Sequence, residues 1–116
     1  MITKPRTINV LGTDIRVEIR KDSEDERLKK ADGYFDFSQS LIVLRELNAD
    51  NCTLVNLEKY QKEVLRHELI HAFMYESGHD SCSLPTESWA TNEEMVDWFA
   101  IQSPKIFKVF REQELI

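Results

Sequence analysis

The sequence predicts an α+β fold, a small antiparallel β-sheet in the N-terminal half followed by helices on one side of it, and three observations carry that prediction. Residues 7–44 contain short stretches in which apolar and polar residues alternate, the period of strands with one buried face. Leu57 to Ser77 reads as one long helix, and a second helical stretch follows a break rich in Gly, Ser and Pro. With 116 residues, 41% of them hydrophobic and 31% charged, the chain can build one core but not two, so residues 1–116 form a single domain.

Thr7-Ile8-Asn9-Val10-Leu11 and Ile15-Arg16-Val17-Glu18-Ile19 alternate about Gly12-Thr13-Asp14, which predicts a β-hairpin. Lys21 to Asp32 is almost wholly charged and is expected to be a solvated loop or a short exposed helical turn. Gly33 to Phe37 and Leu41 to Leu44 form a second strand pair about Ser38-Gln39-Ser40. Asn56 is placed to cap the long helix, with Glu58 near its positive end. Val64, Leu65, Leu69, Ala72, Phe73 and Met74 spread around that helix and predict that it is largely buried, and Gly78 suits its end. Thr91 can cap the next helix, to which Trp89, Met95, Trp98, Phe99 and Ile101 give an apolar face. Ser103-Pro104 reads as a new N-cap and first helical residue, so a boundary or kink is expected there, with a last helix from Pro104 to about Glu114. The predicted order is β-β-β-β-α-α-α.

The formal charge of −6 argues against direct nucleic-acid binding, which draws on clustered Lys and Arg, and Lys105, Lys108 and Arg111 read as a solvated helix face. No signal-peptide core and no apolar run of membrane-spanning length is present, so a cytoplasmic protein without a membrane partner is expected. Cys52 and Cys82 lack metal-site spacing and read as free thiols in a reducing compartment.

Chemistry concentrates at His67-Glu68-Leu69-Ile70-His71. Residues four apart on a helix share a face, so His67 and His71 can hold one metal ion together. Glu68 falls only about 60° from His71 around the helix, within reach of a water on that ion. A catalytic zinc site takes three protein ligands and leaves one position open, so the histidines need a third partner. Glu93 of Asn92-Glu93-Glu94-Met95-Val96-Asp97 supplies it, and Asp97, four residues on, shares its face and can accept the spare ring N–H of a ligating histidine. An acidic pair near a helix start is also what the helix dipole alone favours. The conjunction with two histidines and Glu68 on an otherwise apolar helix is what points to a metal, because burying these groups together without one costs several kcal/mol, on the order of a desolvation penalty.

His-Glu-Leu-Ile-His with a downstream Asn-Glu-x-x-x-Asp resembles the gluzincin zinc metallopeptidases. The short chain and the run Glu93-Met95-Val96-Asp97-Trp98-Phe99-Ala100 look more closely like the compact ImmA/IrrE-type metallopeptidases common in phages and mobile elements, over roughly Val64 to Ala100. The resemblance implies a minimal zincin-like domain with Zn²⁺ on His67, His71 and Glu93, Glu68 as general base and Asp97 beside a histidine. Ile70 departs from the small residue common at that place in the family. It further implies cleavage of a protein or peptide, such as a repressor-type regulator of a phage or mobile element, reached in trans because the chain lacks the DNA-binding domain of some relatives. The alternative is a zinc-containing regulatory module that works by binding a partner. The substrate is expected to lie extended along a sheet edge, with Leu41 to Leu44 the nearest strand. His79 and Tyr75 are weak candidates for stabilising the oxyanion; His79 does not fit a third-histidine spacing, because Met74 and Ser77 hold the places that pattern requires.

Overall fold

The computed structural model describes residues 1–78 and 93–116, the side chains of Glu93 and Val96 excepted. Four strands, β1 (Arg6–Val10), β2 (Thr13–Arg20), β3 (Gly33–Asp36) and β4 (Leu41–Arg45), precede two helices, α1 (Leu57–Glu76) and α2 (Glu93–Glu112). No helix among the described residues is long and apolar enough to cross a membrane.

The strands form one sheet in the order β1-β2-β4-β3, and it is mixed rather than antiparallel. The two hairpins are as expected, but β2 pairs in parallel with β4, from Arg16 opposite Leu41 to Arg20 opposite Arg45. The cause is the charged segment between β2 and β3. It crosses the back of the sheet and delivers β3 to the far side of β4, so β4 returns in the direction of β2. This segment is anchored as well as solvated: Asp25 caps a 3-10 turn, Glu26–Lys29, and Leu28 of that turn is wholly buried against Leu41 and Val43. Asp25 takes hydrogen bonds from Arg20, at 2.9 Å, and from the Tyr34 hydroxyl, while Arg45 pairs with Asp22 at 2.7 Å and Asp32 at 3.3 Å. Arg45 and Tyr34 hold the carboxyls of Asp22 and Asp25 below the usual carboxylate range.

Leu41 to Leu44 therefore lies in the interior of the sheet, and the expectation that it offers a free edge is corrected. Its continuous apolar run is explained by burial on both faces, Ile42 and Leu44 toward α1 and Leu41 and Val43 toward Leu28. Among the described residues, the edge strand that packs most against α1 is β3. The first hairpin also turns one residue earlier than expected. Leu11 and Gly12, at φ 52° and 97°, form a two-residue turn of primed geometry, held by Gly12 N–H donating to Asn9 Oδ1 at 3.1 Å.

Asn56 caps α1 by accepting from the Lys59 amide at 3.0 Å, and Gly78, at φ 81°, follows its end. α1 is less enclosed than expected: Leu65, Leu69, Ala72 and Phe73 are buried, whereas Val64 and Met74 are only partly so. α2 runs unbroken through Pro104, correcting the expected boundary. Met95, Trp98, Ile106 and Phe110 are buried on both sides of the proline, so one face continues along the whole helix and its packing offsets the lost backbone bond. Lys105, Lys108 and Arg111 are exposed, as expected. Cys52 is a free, partly buried thiol; Trp89, Thr91 and Cys82 lie outside the described residues.

The approach of β3 to α1 is set at Gly33. A Cβ there would stand 2.8 Å from Val64 Cγ1, 3.1 Å from the Val43 carbonyl oxygen and 3.3 Å from Leu44 Cδ2. Gly33→Ala is therefore expected to destabilise the fold by about 1–3 kcal/mol, the usual cost of overpacking. Adding Val64→Ala should recover part of that loss, and urea unfolding of the single and double variants measures both.

Candidate metal centre

Helical rotation decides which parts of the motif meet solvent. With Leu65, Leu69, Ala72 and Phe73 at most 1% exposed against the sheet, His67 and His71 must fall on the far side of α1, and both are exposed. Glu68 sits at the margin of the buried arc, about 60° from Leu65 by helical rotation, and is 5% exposed. The same periodicity thus brings out the histidines and takes in the glutamate.

The His67 and His71 Nε2 atoms stand 3.2 Å apart, with the ring planes at 73°. Two zinc–nitrogen bonds of roughly 2.05 Å at a tetrahedral angle hold their nitrogens about 3.3 Å apart, so the pair is spaced as one metal ion requires. Glu68 Oε1 is 3.9 Å from His67 Nε2, and one ligand atom from each of the three residues lies within 4.8 Å of the others. Glu68 Oε2 is buried with no hydrogen-bond partner among the described residues. Burial pushes the Glu68 carboxyl up, and the two histidines pull it only part of the way back. A carboxylate raised in this way and left an oxygen without a donor is equipped to take a proton. Two imidazoles with a carboxylate beside them form a group that could hold a metal ion.

The remaining expected residues are placed less closely. Glu93 opens α2, and its side chain lies outside the described residues, as do Asn92 and His79. Asp97 is exposed on α2. Next to it, Trp98 is buried and donates from Nε1 to Ser77 Oγ, which fastens the first turns of α2 to the end of α1. Tyr75 packs against Phe37 and, edge-on, against Phe35, with ring centroids 5.1 and 6.1 Å away.

Motif reasoning missed the cleft beside Glu68. A space of about 300 Å³ lies between α1 and the start of β3, lined by Asp32, Gly33, Tyr60, Glu63, His67 and Glu68 among others. Tyr60 and Glu63 precede His67 by seven and four residues, so the helical wheel places them along its face. Asp32 and Gly33 come from the bend into β3 and its first residue, and no local signal tied them to the motif. Tyr60 donates its hydroxyl proton to Asp32, and that bond, with burial, pushes Tyr60 up to about 12. No protein family, curated protein or solved structure matches the chain.

The raised Glu68 pKa fixes a pH dependence. A carboxyl that holds its proton more tightly in the fold than the ordinary 4.5 makes the native state bind more protons than the unfolded one above that value. Stability is then lost as pH rises through the window from 4.5 to the raised pKa. Glu68→Gln removes the charge, so in chelator at pH 7 the variant should be more stable than wild type by about 1–3 kcal/mol, the cost of an unsatisfied buried group. That difference should shrink toward pH 4 (~half a unit below the ordinary carboxyl value). Urea midpoints across the pH range check it.

Proposed function

We propose that the protein is a zinc-dependent metallopeptidase that hydrolyses peptide bonds in a protein substrate. The observation that carries the reading is the pair of exposed imidazole nitrogens 3.2 Å apart beside a buried carboxylate that lacks a donor. His67 and His71 hold the ion, with Glu93 as third ligand and Asp97 placed to orient a histidine. The ion, when bound, supplies a Lewis acid that polarises the scissile carbonyl and acidifies water. Glu68 takes the proton of the attacking water and delivers it to the leaving amine, a role that its burial and raised pKa suit. The substrate lies extended along β3, whose outer edge is unpaired among the described residues and whose first residue, Gly33, lines the cleft beside Glu68. A regulatory protein, such as a repressor of a mobile element, fits that role as a substrate reached in trans. A cytoplasmic location suits it.

The metal assignment is tested by composition. Purified protein should carry about one zinc per chain, in keeping with a single three-ligand catalytic site, and His71→Ala should lose it. Of the two acidic neighbours, Glu93→Gln should weaken zinc binding by about 10-fold or more, the scale on which coordination-shell changes act, while Glu94→Gln should leave it unchanged. The reverse order would remove Glu93 from the ligand set.

Catalysis is separated from metal binding at Glu68. Glu68→Gln should fold and hold zinc like wild type, while hydrolysis falls by about 10² or more, the loss expected with a positioned general base. If the cellular effect of the protein survives Glu68→Gln but not His71→Ala, the metal is structural and the protein acts by binding a partner.

A further inference from the structure

The cleft beside Glu68 is rich in acceptors, and of its two donor-capable side chains Tyr60 gives its proton to Asp32 and His67 turns Nε2 toward His71. Asp32, Glu63 and Glu68 all face it, and their carboxylates only accept when ionised. Asp32 is partly satisfied, taking hydrogen bonds from Arg45 at 3.3 Å and from Tyr60. Glu63 is exposed and has no ion-pair partner among the described residues. At the inner end, the buried oxygen of Glu68 has no partner at all among them. A space of about 300 Å³ has room for a long side chain, and this one lacks what an ammonium or guanidinium group brings: several N–H donors and a positive charge. The net charge of −6 adds a field that attracts such a group.

Position gives the cleft its meaning. Gly33 is at once a wall of the cleft and the first residue of β3, an edge strand among the described residues. A peptide paired to that edge points alternate side chains toward α1, and one of them enters the cleft within reach of the scissile bond. We propose that the cleft binds a lysine or arginine side chain of the substrate, with Glu63 and Asp32 setting that preference. The proposal rests on the peptidase reading for its link to cleavage, and on the cleft alone for the binding of a cation.

Two measurements on the full chain test it. Zinc-loaded protein is given capped hexapeptides that differ only in lysine or norleucine at one position on either side of the central bond. The lysine peptide should show a kcat/KM higher by about two- to fivefold, as a surface charge pair allows. Glu63→Lys should abolish or invert that preference, read as the ratio of the two kcat/KM values. In the second measurement, metal-free protein is titrated with N-acetyl-lysine methylamide and with its norleucine counterpart while backbone amide shifts are followed. Shifts at Gly33 and Val64 that need the lysine, and that Glu63→Lys removes, support the cationic subsite even if no peptide is cleaved, in which case the peptidase reading alone falls. Cleavage of both peptides at equal kcat/KM overturns the proposal and leaves the peptidase reading standing, and equal shifts with the two amides overturn the proposal by themselves.

Discussion

Everything at this site follows from the need of α1 to bury one stripe against the sheet. Leu65, Leu69, Ala72 and Phe73 settle the rotation of the helix about its axis. Once that rotation is fixed, a pair of residues at positions 67 and 71 must look outward and residue 68 must sit at the waterline. The electrostatic discomfort of Glu68 is thus a consequence of packing, and it coincides with what a proton acceptor needs. A glutamate with the same neighbours on a freely solvated helix would keep an ordinary pKa and have no such readiness.

The elements were largely legible in the sequence, because strand and helix periods are local properties. Asn56 and Gly78 marked the limits of α1, and His67, Glu68 and His71 could be grouped by counting along a helix. What the local pattern could not carry was the order of strands. Alternation shows that two segments are strands and leaves open which neighbours they take, so the parallel contact between β2 and β4 was out of its reach. One clue was present and went unused: four consecutive apolar residues, Leu41 to Leu44, suit a strand covered on both faces better than one at an edge. Leu28 was the matching clue, a lone apolar residue in a charged run.

Proline shows the opposite bias. Local rules gave Pro104 the authority to start a new helix, yet a buried face shared by residues before and after it keeps the helix continuous. The cleft was invisible for a third reason. Its walls come from residues nearly thirty positions apart, Asp32 and Tyr60, joined by a hydrogen bond that no spacing rule encodes.

Pro104 has a consequence for how α2 is held together. Lacking an N–H, it cannot bond the carbonyl of Ala100, so the ladder that runs through the helix has a missing rung where the axis is unbroken. The C-terminal portion is pinned by Ile106 and Phe110 in the core and by Arg66, which donates to the Leu115 carbonyl at 2.7 Å. The portion that begins at Glu93 is pinned through Trp98. At Pro104 the two portions are joined by side-chain packing with one backbone bond fewer than a regular helix would have.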